Sequence, residues 1–482
     1  MKKPFWIFGS SLWDSTATTK KKAGPSRYLL PGIVVSVVFV RFACQLAAQP
    51  IRILHTFTGS DGEYPASSLI LLSNILYGTT SAGGALNYGA AFKVGIDGFG
   101  FTNFHDFSGI SPSGWLVLSD KTLYGTSQGG GDYGYGAAFS LDTGGGGATN
   151  LHSFTAPVLN DFGANTNTDG IFPRAGLILS QNLLYGTASG GGLSAAGTVF
   201  RVGIGGGGFA TLYTFSFGDG CTNTDGAIPF SGVALSGNVL YGTTYYGGSG
   251  GNGTIFAVNT EGSDFRVLYN FAPGGPDQFN DWPNAGGGNP HAELLVAGET
   301  LYGTAENGGS GAGGTIFKIK TDGSGFATLH NFNDTIEGIH PTGGLILSGS
   351  TLYGATRAAL FAIETNGTGY VKLHTFSTSE SGPNPNLLLS GNTLYGTTRE
   401  GGASHAGTVF SFFIPARLTI NRFGEEVVLA WPTNAGSFTL QTSTDLASTN
   451  WTTVSPAPVL SNGQNTVTNT VSGIQRFYRL VQ

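Results

Sequence analysis

Five of the eight histidines in the chain stand at one repeated position. His55, His105, His152, His330 and His374 each take the second place of an L-[HY]-x-F box or a close variant, and Tyr213 and Tyr269 take it in two further copies. Histidine is the commonest metal ligand, so a recurring imidazole raises the question of a metal. Tyrosine as its substitute argues for an aromatic body that packs and a polar tip that hydrogen-bonds. His291, His340 and His405 lie outside the box and lack that explanation.

Carboxylates and amides form the second set. "NTNTDG" at 165–170 and "CTNTDG" at 221–226 resemble the opening of a calcium loop, which needs oxygens at alternate positions. Neither has the distal bidentate Glu, and both align with Asp61-Gly62 and Glu337-Gly338 elsewhere in the chain. The expected cofactor set is therefore none, with calcium as the alternative. Glycoside hydrolysis needs two carboxylates facing one another across a pocket. Asp277, Asp281, Glu293 and Glu400 are candidates because they lie outside the repeated strands. The chain has no H-E-x-x-H and no Walker loop, and its GGGG runs open no helix.

The elements that would position these residues come from a repeat. LYGTT, LYGTS, LYGTA or LYGAT begins at residues 76, 123, 184, 240, 301, 352 and 394. A G-x-x-P element precedes each box, with its proline at Pro65, Pro112, Pro173, Pro229, Pro290, Pro341 and Pro385. Proline to tyrosine is 12 residues in six copies and 10 in the seventh. A G-[TA]-x-F element follows the box, and the L-[HY]-x-F box follows that at constant distance. Such spacing predicts four short antiparallel strands per unit, the first two joined by tight turns such as "SN" or "SGN".

Seven four-stranded units predict an all-β fold: a seven-bladed β-propeller over 51–413. The chain opens with an unpaired L-H-x-F strand and its array ends on GTVF, so the N-terminal strand is expected to complete the last blade. An open solenoid is the alternative, and it would need capping repeats. The unit LYGTT-xx-GG-x(4)-GTVF resembles the GloVer tandem-repeat family of exported bacterial proteins, which share the repeat and carry varied C-terminal anchoring regions. The resemblance covers 51–412 and implies no catalytic motif. The sixth copy, "LYGATRAALF", lacks the paired glycines.

Composition bounds the partners. Of 482 residues 80 are glycine, without a period of three, and only 10% are charged. Residues 1–50 hold seven basic residues against Asp14, which leaves 15 basic and 27 acidic beyond them, a balance of −12. An acidic body argues against nucleic acid as a partner. Basic residues precede an apolar run from Leu29 to Val40, then "CQLAAQP", in the order of a signal peptide cleaved near Ala48. That run is short for a spanning helix, so the mature chain is expected to lack a transmembrane span. Residues 416–482 read as about six short strands, similar to a fibronectin type III-like β-sandwich, with Trp431 in its core.

These observations predict an exported, non-catalytic binding or scaffold protein of the cell exterior, with a polysaccharide or cell-surface component as partner. A glycan-active hydrolase or lyase and a purely structural surface repeat are the alternatives. Segment length varies almost only between the L-[HY]-x-F box and the next G-x-x-P, which puts recognition on that face. The expected ligand-binding residues there are Asp277, Asp281, Trp282, His291, His340 and His405.

Overall fold

The computed structural model describes residues 51–481, except 162, 217, 219–221, 274–283, 334–337, 378, 385, 415–417, 424–425, 433–437, 446–449, 462–463 and 471–475. The protein is all-β, and the described residues contain no helix. It divides into two compact units, one of which is Gln49–Phe413.

That unit is built from seven antiparallel sheets of four or five strands, with two further two-stranded sheets beside them. Sheet one spans residues 63–106, sheet two 110–153, sheet three 178–214, sheet four 234–270, sheet five 295–331 and sheet six 346–375. Sheet five shows the plan: Leu295–Ala297, Thr300–Ala305, Thr315–Lys320 and Ala327–Asn331 lie side by side in that order. Its second strand carries LYGT, its third TIF and its fourth the L-H box. Sheet seven takes Leu388–Ser390, Thr393–Thr398 and Thr408–Phe413, and its fourth strand is Arg52–Thr56 from the other end of the unit.

The recurring letters are inter-sheet contacts. The phenylalanine closing each L-[HY]-x-F box packs edge-to-face on the G-[TA]-x-F phenylalanine of the next sheet. The pairs are Phe57–Phe92, Phe107–Phe139, Phe154–Phe200, Phe215–Phe256, Phe271–Phe317, Phe332–Phe361 and Phe376–Phe410, with centroids 5.0 to 5.6 Å apart. These contacts run from each sheet to the next and from the seventh to the first. The LYG glycine has no room for a side chain, because a Cβ at Gly303 would lie 2.5 Å from Phe317. The glycine of GTxF takes φ near +100° and faces the next repeat's proline: a Cβ on Gly197 would lie 2.6 Å from Pro229, and one on Gly314 2.6 Å from Pro341. Each outer strand pair also holds one β-bulge at the same place, as at Ile316/Phe317 against His330/Thr328.

One expectation about register needs correction. Pro385 lies outside the described residues, and the proline that occupies the seventh repeat's place is Pro383. It bridges Thr398 as Pro65 pairs with Thr80. Counted from Pro383, the distance to Tyr395 is the same 12 residues as in the other copies. A second proline two residues on disguised the register.

The other unit includes Ile414–Gln482. Its described strands form a four-stranded and a three-stranded antiparallel sheet. Leu429, Trp431 and Val467 of the first share a core with Leu440, Tyr478 and Leu480 of the second. Trp431 is fully buried, and Arg479 lies over Trp451 at 4.3 Å.

Candidate functional site

The seven repeats diverge most informatively at two register positions. One follows the LYGT box, where the copies read Ser81, Gln128, Ser189, Tyr245, Glu306, Arg357 and Arg399. The other follows the G-x-x-P proline, where they read Ala66, Ser113, Arg174, Phe230, His291, Thr342 and Asn384. Both lie where the second strand leaves the sheet, at the opposite end from its hairpin turn. The backbone here is held alike in five of the seven copies. The residue before the proline takes a left-handed φ of 55° to 58° at Tyr64, Phe172, Ile228, Asn289 and His340. Its N–H donates to the glycine loop of the preceding sheet, as Ile228 does to Ala196 and His340 to Gly313.

On that frame, side chains from sheets three to six converge. Glu306 is buried, and its carboxylate accepts from Arg357 at 2.6 Å and from the Tyr245 hydroxyl at 3.1 Å. The Phe230 ring lies 5.0 Å from Tyr245 and 5.4 Å from His291. Arg174 sits over Phe230 at 5.4 Å. His340 Nδ1 meets the Glu306 carbonyl at 3.0 Å. Asn289 ties the loop together, donating to Tyr245 O at 2.9 Å and accepting from Asn307 at 3.2 Å. Burial pushes the Tyr245 hydroxyl's pKa up, and the Glu306 charge adds to the effect. Burial holds His291 below its usual value, although Glu306 works against that.

Deeper in the same segments, a third position reads Ser68, Trp115, Gly176, Gly232, Glu293, Gly344 and Asn386. The Trp115 indole lies across the next two copies. A Cβ on Gly176 would fall 1.8 Å from Trp115, and one on Gly232 3.2 Å from it. Glu293 has no hydrogen bond or ion pair to any described residue. It keeps some accessible surface but lies deep in the protein, and that burial pushes its carboxyl up to about 8.

The sequence candidates divide three ways. His291 and His340 belong to the cluster. His405 is an exposed loop residue of sheet seven, its N–H donating to Gly402. Asp277, Asp281 and Trp282 lie outside the described residues. Tyr245, Phe230, Glu306, Arg357 and Arg174 were missed. Aligning the seven copies on LYGT and reading the residue just after the box would have found the first signal.

The box histidines have a packing role. His55 stacks on Phe101 of the next sheet at 3.4 Å and donates to Asp61 at 2.9 Å. His152 stacks on Phe209 and donates to Asp169 at 3.0 Å, while Tyr213 stacks on Phe265 and donates to Asp225 at 2.8 Å. The oxygens of the calcium-like loops face donors. Asn167 Oδ1 accepts from Gly170 and Gly192, and Asn223 Oδ1 accepts from Gly226 and Gly248. Among the described residues, no three His, Cys, Asp or Glu side chains are grouped to hold a metal ion. No helix among them is long and apolar enough to cross a membrane.

No curated protein matches the chain. Among solved structures, it is similar to an oligogalacturonate lyase from Vibrio parahaemolyticus at 9% identity and TM-score 0.48, over 77% of this chain and 95% of that one. It is similar to a puromycin hydrolase at 12% identity and TM-score 0.47, over 78% of this chain and 59% of that one. At these TM-scores the likenesses carry no argument about function. The family model of the Gloeobacter/Verrucomicrobia repeat matches residues 39–222, 156–281 and 221–410. Those matches run together over more than half of the sequence, and the chain belongs to the Gloeobacter/Verrucomicrobia repeat family.

Proposed function

We propose that residues 51–413 form a closed seven-bladed β-propeller, followed in sequence by a fibronectin type III-like β-sandwich over 416–482. Pairing of Arg52–Thr56 with Thr408–Phe413 and the sevenfold phenylalanine contacts support the closure. The two sheets that share the Trp431 core support the sandwich. The protein acts outside the cell, exported through the segment 1–50 and cleaved near Ala48. That segment lies outside the described residues, and mass spectrometry of the mature N-terminus tests it. An intact Met1 on cytoplasmic protein would end this reading.

The protein is a non-catalytic binding protein, and its partner is a polysaccharide or another cell-surface component. One observation carries this reading: in an otherwise uniform repeat, the side chains that break uniformity on sheets three to six meet in one place. Surface divergence on a rigid scaffold is where recognition usually sits. A polysaccharide screen scored for both retention and product release tests it. The Phe230→Ala/Tyr245→Ala variant is expected to lose retention, whereas Asp120→Asn, in a hairpin turn at the other end of its sheet, is expected to keep it. Retention unchanged in the double variant would refute the assignment of the site.

A second reading, a glycan-active enzyme, draws on Glu293. A carboxyl raised to about 8 keeps its proton at neutral pH and suits a general acid. Release of shortened product by the wild type and its loss in Glu293→Gln would favour this reading.

A further inference from the structure

We propose that the ligand of this cluster is an acidic saccharide, a uronate whose carboxylate meets Arg174 and Arg357 while its sugar ring lies against Phe230 and Tyr245. The inference rests on the binding reading above and names the ligand class for the same site.

The charge placement argues for an anion. Residues 51–413 contain six arginines: Arg52, Arg174, Arg201, Arg266, Arg357 and Arg399. Arg201 pairs with Glu261 at 2.7 Å, and Arg52 donates to the Asp97 carbonyl. Arg174 is exposed and makes no hydrogen bond or ion pair with any described residue; its neighbour is the Phe230 ring. Arg357 spends one donor on Glu306, and its side chain remains 62% exposed, which leaves guanidinium N–H groups to give. Glu306 is already paired with Arg357 and accepts a hydrogen bond from the neutral Tyr245 hydroxyl. Two arginines against one carboxylate leave a local excess of one positive charge, in a chain that carries −12 beyond residue 50.

The same numbers limit the anion. A densely charged phosphate or sulfate polymer would gain at one spot and be repelled by the acidic remainder. A single carboxylate per residue fits better, and guanidinium matches carboxylate with paired donors. The aromatic residues favour sugar over an acidic peptide. Phe230 and Tyr245 are half-buried and adjoin the arginines, and Tyr246 beside them is exposed. A uronate carries an apolar C–H face and a carboxylate on one ring, which is the combination this surface offers.

The test is calorimetric titration of the full exported chain with four probes: an oligouronate, the same oligomer with its carboxyls reduced to alcohols, a polysulfated glycan and polyglutamate. The oligouronate is expected to bind, and its carboxyl-reduced form to bind about tenfold more weakly or worse. Arg174→Gln should weaken oligouronate binding about tenfold, and Arg174→Lys by less, because a point charge remains. Thermal melts of both variants should match the wild type. Equal binding of the two oligomers, or no effect of Arg174→Gln, overturns the proposal. So does tighter binding of the polysulfate or polyglutamate than of the oligouronate. If only a neutral glycan binds, and Phe230→Ala/Tyr245→Ala abolishes it, the acidic ligand is wrong and the binding face stands. If no saccharide binds the folded protein, both fail.

Discussion

Sheets one and five are the same piece of backbone used for different purposes. Tyr64 and Asn289 both take φ 55°, and both donate to the preceding sheet, to Ala406 and Asn252. Phe92 and Phe317 receive the same edge-to-face contact from the sheet before. Yet where sheet one places Ala66, Ser68 and Ser81, sheet five places His291, Glu293 and Glu306. Packing holds the repeat to one pattern between sheets because a misfit there leaves a cavity or a clash. At the end of the second strand no such constraint acts, and chemistry can be added to one copy without disturbing the rest.

The largest effects should treat the two sheets alike. Phe92→Ala and Phe317→Ala should each cost about 3–5 kcal/mol, since both rings are fully buried. Denaturant unfolding of the two variants checks this. A near-neutral result for either would show that the sheets are not equivalent supports.

Glu293 should then separate them. Its carboxyl is raised from 4.5 to about 8 in the folded protein. The unfolded chain therefore loses that proton first, so the folded state becomes less favoured as pH rises from about 4.5 to about 8. Glu293→Gln should stabilise at neutral pH by at most about 4 kcal/mol, at 1.36 kcal/mol per unit, and by nothing below about pH 4. Ser68→Ala in sheet one should show no such pH dependence. Melting curves from pH 4 to 8 decide it, and a difference that does not grow with pH would contradict the burial of Glu293.

Much of the scaffold was legible because its constraints are local and repeated seven times. The four strands, the turns and the order of sheets follow from spacing, and the role of the box histidines followed from Tyr213 and Tyr269 standing in for them. The seventh proline was misplaced because Pro383 and Pro385 both fit a short pattern, and only the bridge to Thr398 separates them. The cluster was harder to see. Arg174, Phe230, Tyr245, Glu306 and Arg357 are spread over 184 positions of the sequence. They meet only because corresponding positions of successive sheets are neighbours. His291 and His340 were found for being unexplained, which is a weaker signal than register.

Smaller effects sharpen the comparison at the third register position. Sheet one accepts Ser68 there, but Gly176 lies under the Trp115 indole. Gly176→Ala should cost about 1–3 kcal/mol by overpacking, and Trp115→Ala/Gly176→Ala should recover part of that loss relative to Trp115→Ala alone. Additive losses would mean that the two residues do not meet. Thr126 donates to Ala175 of the next sheet at 2.6 Å from a buried hydroxyl. Thr126→Val should cost about 1–2 kcal/mol, read in the same unfolding assay.

The claim that divergent residues on sheets three to six form the binding face is tested most directly by hydrogen exchange on the full chain, with and without a retained saccharide. Protection is expected in 172–176, 226–246, 287–293, 304–309 and 339–357. The matching segments of sheet one, 64–68 and 80–84, should exchange unchanged. Protection confined to the hairpin turns at the other end of the second strands, around Ser73, Asp120 and Gln181, would contradict it.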